Sequence, residues 1–456
     1  MIGVLIGKGI SDWQIFQQQD GWAVIEVSGI WKYEAKKSDC IDVFACVRRE
    51  DSGEPIIWWT RCFVEEKKWS VSLKIPAGGL YQLETCMTIN SDGWNEWAIR
   101  GDIVSHFGVG DIFVIAGQSN SAGYGKDFIY DPCQLGIHIL KNDKKWHLAQ
   151  HPLQDSTGAD SPVNMDEGST GHSLYLSFAK YLSRELHYPI GLVQTARGGS
   201  SLREWSPDKR GNLYDNLICS VKAVGRIKGM IWYQGCSDAV EEYYRQYYEC
   251  FLYLRKCIMR ELNVENLPVF LFQISKCLQK PEKNENLYWG MLREQMRRLG
   301  HIEDIYVIPT GDCVLSDFVH VSAKSNLVLG ERLAKVVLKK LYYHTYMCEA
   351  PDIVRAEKTA DREVNLTFSP VYDKLECFGC SPEKIALYAE DVQGELQIAD
   401  YRVVDKNKLH IVFHRKIQGN CAVHGAYDKA VSGIIPVDYG THLPMLSFYG
   451  VEVIGT

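Results

Sequence analysis

Five short apolar runs restrict this chain more than any other feature: DIFVIAG (111–117), PIGLVQT (189–195), GMIWYQG (229–235), PVFLFQI (268–274) and DIYVIPT (304–310). Each is nearly continuous in β-branched and aromatic residues, the pattern of a strand covered on both faces. The segments between them repeat their apolar residues at helical spacing. Leu174, Phe178, Tyr181, Leu182 and Leu186 form one such stripe, with Ser173 as its expected cap, and Leu213, Leu217 and Val221 form another. Further helices are expected over about 239–262, 286–299 and 323–341. Strands alternating with helices predict a parallel, doubly wound five-stranded sheet with right-handed crossovers.

In such a sheet the strands point one way, and ligands bind outside their carboxyl ends. The first run delivers Gln118, Ser119 and Asn120 to that edge, and the second delivers Arg197, Gly198 and Gly199. The third delivers Gln234, Cys236 and Asp238, and the fifth leads on to Asp317 and His320. Each alone has an ordinary reading, as a helix cap, a tight turn, a buried amide or an exposed pair. Their convergence on one edge is what marks a site. Ser119 is the candidate nucleophile, and a hydroxyl needs a base to take its proton. His320 is that base, since imidazole is the side chain whose ordinary pKa lies near neutrality. Asp317 is placed to hold the imidazole tautomer and stabilise the imidazolium. The backbone N–H groups of Ser119 and Gly199, with the Gln234 amide, are expected to surround a developing oxyanion. Gln118, Asn120 and Arg197 are candidate substrate contacts. No G-x-S-x-G elbow occurs, which disfavours an ordinary α/β-hydrolase, and the chemistry calls for no metal or cofactor.

The 456 residues exceed one ordinary domain. Residues 1–105 read as short strands separated by DSGEP, PAGG and NSDG, and residues 346–456 return to β character. Two β-sandwich-like domains are therefore expected to flank a catalytic domain at 106–345. Trp58, Trp59, Trp69, Trp94 and Trp97 suit either a sugar-stacking platform or, more in keeping with burial habits, a sandwich core. The stretch from Ser121 to about Gly171 is too long for a simple connection, so a functional role is expected of it. A formal charge of −7 excludes a basic nucleic-acid binder and gives no attraction to anionic membranes. No run reaches the ~18 to 20 apolar residues of a membrane span. The first residues lack a basic stretch before a short apolar run, so no signal peptide is expected. Most of the 15 scattered cysteines then read as reduced thiols in a cytoplasmic protein, the lone Cys377-x-x-Cys380 pair included.

Four blocks carry a resemblance. GQSN (117–120), ARGGSSLREWSP (196–207), IWYQGCSD (231–238) and SDFVH (316–320) are similar to those of the SGNH hydrolase superfamily. More narrowly, they resemble its sialate O-acetylesterase (SASA) and acetylxylan esterase-like branch, over about residues 106–345. The resemblance implies a flavodoxin-like sheet and a nucleophile at Ser119. It implies an Asp317 and His320 pair, and oxyanion donors at Ser119, Gly199 and Gln234. The flanking β-domains resemble accessory modules of bacterial members. The third block departs from the family's WYQGES or WYQGEA, because Cys236 stands where the glutamate is usual, which removes an anion near the site. The implied activity is removal of acetyl groups from sugar hydroxyls, on sialic acid or on xylan or mannan oligosaccharides. Two other readings are a catalytically silent glycan-binding protein and a lipid or thioester hydrolase, and the polar 121–171 insert disfavours the latter.

Overall fold

A computed structural model describes residues 2–455 except 157, 161, 167, 169 and 210. Its centre is a mixed α/β assembly. The five expected strands are Ile99–Gly117, Ile190–Gln194, Gly229–Tyr233, Val269–Phe272 and Ile305–Ile308. They pair in parallel, with Ile190–Gln194 at one side of Ile99–Gly117 and the other three following in chain order at its other side. The sheet is larger than five strands. Ile137–Leu140, from the insert, adds a sixth parallel strand beside Ile190–Gln194, and Trp146–Leu148 closes that edge antiparallel. The expected irregular insert thus contains a GIHIL run with strand chemistry, and four of its positions lie outside the described residues.

Side chains alternate across the sheet, as a pleat requires. Ile112, Val114 and Ala116 face one core, shared with α3 (Leu213–Val224), α4 (Tyr247–Leu262) and α5 (Glu285–Leu299). Phe113 and Ile115 face a second core with α2 (Tyr175–Leu186) and α6 (Ala323–Tyr342). Asn212 caps α3 by accepting the Asp215 N–H at 3.2 Å, and Ser322 caps α6 by accepting that of Ser325 at 3.1 Å. Ser173 does not cap α2. The helix starts at Tyr175 with Leu174 before it, and the buried Ser173 hydroxyl has no partner among the described residues. α4 begins at Tyr247 rather than near 239, because residues 239–246 turn before the helix is established.

The N-terminal strands form two sheets around one apolar core. Gly3–Lys8, Trp22–Lys32, Lys68–Pro76 and Phe63–Glu65 make the first. Ile41–Arg49, Pro55–Arg61 and Gly78–Ile89 make the second, together with the first half of Ile99–Gly117. That last strand runs without a break through position 105 into the central sheet. Trp69 is only 1% exposed and belongs to the core between these sheets, whereas Trp58 and Trp97 are exposed, so the five tryptophans do not form one platform. The C-terminal residues also form two four-stranded sheets around a shared core. Burial pushes the Cys377 thiol there up to about 12, and Cys380 Sγ lies 3.1 Å from the Tyr401 hydroxyl. Among the described residues no helix is long and apolar enough to cross a membrane.

Candidate active site

The central strand ends at Gly117, whose φ is +126° and where a Cβ would stand 2.3 Å from the Tyr233 carbonyl oxygen. Only glycine fits so close an approach in that conformation. The chain turns there into α1 (Ser119–Ala122), a single turn, and the first N–H groups of a helix have no partner within it. Ser119 is the first residue of that turn, so its N–H is available to a ligand.

The neighbouring strand ends in the Arg197–Ser200 loop. The Arg197 N–H donates to the Gly117 carbonyl at 3.0 Å, which ties this loop to the Ser119 turn. Gly199 has φ +70°, and a Cβ there would meet nothing within 4 Å, so backbone conformation rather than crowding favours glycine. The loop after Ile305–Ile308 supplies the third part. Asp317 Oδ1 accepts the N–H groups of Val319 and His320 at 2.9 and 2.8 Å, and its Oδ2 lies 2.7 Å from His320 Nδ1. Burial alone would raise the Asp317 carboxyl. These hydrogen bonds outweigh burial and hold it below its ordinary value, so it is charged beside the imidazole.

Ser119, Gly199 and His320 line one cavity of about 500 Å³, with Gln118 and Arg197 also on its wall. Ser119 and His320 face the cavity without a hydrogen bond to each other among the described residues. Such contacts often tighten only with substrate present. The Gln118 Oε1 accepts the Gly235 N–H at 2.7 Å, which fixes the amide's orientation. Arg197 stands 3.7 Å from the Glu204 carboxylate.

Two expected contacts fall elsewhere. Gln234 is fully buried, and its amide nitrogen is spent on the Ser200 carbonyl at 3.1 Å and on the Asp238 carboxylate. It supports the Gly199 loop from behind and is not on the cavity wall, so it is not placed as an oxyanion donor. Asn120 likewise uses both ends of its amide on the protein. Its Oδ1 accepts the Val321 N–H at 2.9 Å and its Nδ2 donates to the Val319 carbonyl at 3.3 Å. It pins the His320 loop to the Ser119 turn and is not among the residues lining the cavity.

Sequence reasoning missed Asp166 and Tyr124. Asp166, from the insert, accepts the Gly198 N–H at 2.7 Å and lines the cavity, and burial raises its carboxyl. The Tyr124 ring packs on the His320 imidazole with centroids 4.9 Å apart. The acid in NMDEG was the available signal, but nothing local says which loop it clamps. Cys236 does reach the cavity, and burial pushes its thiol up to about 12, so it is neutral there. Elsewhere in the insert, Asp131 Oδ2 lies 3.0 and 3.1 Å from His151 and His172 Nε2, a trio with metal-ligand spacing. The Lys180 ammonium donates to Asp131 Oδ1 at 2.6 Å, so this carboxylate already has its counter-charge. Burial would raise Asp131, and these partners hold it far below the usual carboxylate range.

The chain is similar to known carbohydrate esterases. The profile of the family described as "Carbohydrate esterase, sialic acid-specific acetylesterase" (SASA) matches residues 109–339, half of the chain. A probable carbohydrate esterase of Arabidopsis thaliana is 28% identical over 263 residues, covering 52% of this chain and 94% of its own. The crystal structure of a carbohydrate acetylesterase from Xanthomonas citri covers 98% of this chain and 99% of its own, with a TM-score of 0.65 at 18% identity. That likeness is one of fold, and it extends over the β-rich ends.

Proposed function

The chain belongs to the SASA family of carbohydrate esterases, and on that footing we propose that it is a serine O-acetylesterase that frees sugar hydroxyls through an acetyl-enzyme. One observation carries the reading: a serine, a histidine held by a charged aspartate, and a glycine loop share one cavity. Ser119 Oγ attacks the acetyl carbonyl while His320 Nε2 takes its proton. The negative charge that develops on the carbonyl oxygen falls to the N–H groups of Ser119 and Gly199, each worth roughly 3 to 4 kcal/mol in such a role. The carbon–oxygen bond to the sugar then breaks, and His320 returns the proton to the departing sugar oxygen. Water attacks the acetyl-enzyme with His320 as base, acetate leaves, and the proton goes back to Ser119. Asp317 orients the imidazole and balances its charge throughout. Because Gln234 is held elsewhere, this assignment gives the oxyanion to backbone donors.

Replacing Ser119 with alanine removes the bond-forming atom and nothing that holds the turn. The S119A protein is expected to melt like the parent and to lose at least ~10³-fold in turnover of 4-nitrophenyl acetate. A fluorophosphonate should label the parent at Ser119 and leave the variant unmodified. Activity in S119A within tenfold of the parent would remove Ser119 as nucleophile. Acetate release from acetylated sialic acids, xylo-oligosaccharides and manno-oligosaccharides then ranks the substrates.

A further inference from the structure

Part of the cavity wall comes from outside the α/β assembly. Lys429, from the C-terminal β-region, lines the cavity together with Glu285, the first residue of α5. The ammonium donates to Glu285 Oε2 at 2.7 Å, and the two side chains are 7% and 24% exposed. Burial would raise the Glu285 carboxyl, but hydrogen bonds from Lys429 and from the Glu282 N–H hold it below its ordinary value. The carboxyl is therefore charged beside the Lys429 side chain.

The segment that delivers Lys429 is fixed residue by residue. Arg293 on α5 donates to the carbonyls of Ala426, Tyr427 and Asp428 at 3.3, 3.0 and 2.7 Å. The Lys429 N–H donates to Asn286 Oδ1 at 3.1 Å, and its carbonyl accepts the Cys277 N–H at 2.8 Å. These contacts dock the segment without help from the side-chain pair. A desolvated ion pair is weak evidence for stability, because removing both charges from water costs about what their attraction returns. The pair instead gives the cavity a preorganised donor next to an acceptor. An ammonium has three N–H donors. Beyond the one given to Glu285, neither its remaining donors nor Glu285 Oε1 meets a partner among the described residues.

A donor beside an acceptor complements adjacent hydroxyls of a sugar ring, each of which both gives and takes a hydrogen bond. The pair carries no net charge. The other two charged groups on the wall, Asp166 and Arg197, are of opposite sign, and Arg197 also stands 3.7 Å from the Glu204 carboxylate. The cavity thus offers no uncompensated cation to a sugar carboxylate. We propose that Lys429 and Glu285 bind neighbouring hydroxyls of a neutral sugar whose acetyl ester lies at Ser119. This rests on the esterase reading above and names its substrate class as neutral acetylated sugars.

The test compares three esters: an acetylated xylo-oligosaccharide, 9-O-acetylated sialic acid and 4-nitrophenyl acetate, which has no sugar hydroxyls. The parent should show the higher kcat/KM on the xylo-oligosaccharide of the two sugars. The double variant Lys429→Met/Glu285→Gln removes both charges together, and Glu285→Gln alone serves if the double variant does not fold. In either, kcat/KM on the xylo-oligosaccharide should fall at least tenfold further than on 4-nitrophenyl acetate, mainly through KM, and Lys429→Arg should recover part of it. An equal fall on both esters means a structural role and overturns the proposal, as does no fall or a parent that prefers the sialic acid. A parent inert on all three and unlabelled by fluorophosphonate would overturn the esterase reading itself, and this proposal with it.

Discussion

The two β-rich ends meet the α/β assembly by different means. The N-terminal strands join at the amino ends of the parallel strands and do so through main chain. Ile15–Gln17 pairs in parallel with Gly108–Gly110, and Gly78–Ile89 pairs with the first half of Ile99–Gly117. The C-terminal strands dock along α5, whose first turn lies on the cavity, and do so largely through side chains. Gln273, just past Val269–Phe272, donates to the Ser447 carbonyl and accepts the Ser447 N–H, both at 2.8 Å. Arg297 stands 2.9 Å from Asp352. Continuous pairing makes the second N-terminal sheet an extension of the framework. Side-chain docking along α5 gives the C-terminal sheets a way to place a residue such as Lys429 on the cavity. A change at the first junction should therefore alter stability alone, and a change at the second should alter both stability and choice of substrate.

The most damaging challenge to this contrast is Arg293→Leu. Arg293 is fully buried, burial pulls its guanidinium down to about 10, and among the described residues it forms no ion pair. Its hydrogen bonds go to carbonyls, those of Ile274 and Ser275 at 3.0 and 2.8 Å as well as the three in the Lys429 segment, and its guanidinium lies 5.2 Å from the centroid of the Trp289 ring. Removing it leaves several buried carbonyls without a donor, a loss of about 3 to 5 kcal/mol. Urea unfolding should report that loss, and kcat/KM on acetylated sugars should fall with it. A loss under ~1 kcal/mol would mean that apolar packing, such as Tyr427 and Tyr449 against Gly290, docks the C-terminal sheets instead. Trp69→Phe makes the matching change at the other end. It deletes the hydrogen bond from the indole Nε1 to the Leu5 carbonyl at 3.1 Å and some buried area, for about 1 to 2 kcal/mol. Rates measured well below the melting temperature should match the parent on every ester. A changed KM for sugars would break the contrast from the N-terminal side.

The same contrast explains what was legible in the sequence. The strands and the motifs at their ends are local signals. Ile112 to Ile115 and the D-x-x-H spacing of Asp317 and His320 each announce themselves within a few residues. Gln234 and Asn120 were read correctly as lying at strand ends, but neither lines the cavity. A sequence does not say which backbone groups will claim an amide once loops from distant positions meet. Asn120 is claimed by residues 199 and 201 positions away, and Gln234 by Ser200. Lys429 is further out of reach. Its place on the cavity depends on a docking surface assembled from Cys277, Asn286 and Arg293, and no periodicity in 421–430 points to it.

The smallest expected effect probes the hinge between the α/β assembly and the C-terminal sheets, and it is read in pH. Glu349 accepts hydrogen bonds from the ammonium groups of Lys339 and Lys340 near the end of α6, at 2.5 and 2.8 Å, and from the Tyr372 hydroxyl. Burial would raise its carboxyl, but these partners bring it down from 4.5 to about 2. A carboxyl depressed in the folded state stabilises the fold fully above its unfolded pKa. That contribution is lost as pH falls from about 4.5 toward about 2. The site is partly open to water, so screening limits the contribution to on the order of 1 kcal/mol. Glu349→Gln should lower stability by that amount at pH 7 and by progressively less between pH 4.5 and 2, where parent and variant converge. kcat/KM at neutral pH should hold, because this contact lies at the root of the docked region and not on the cavity. If the variant lost sugar turnover at neutral pH while remaining folded, the placement of Lys429 would depend on the hinge as well as on Arg293. The C-terminal sheets would then act on the site as a movable body rather than a fixed wall.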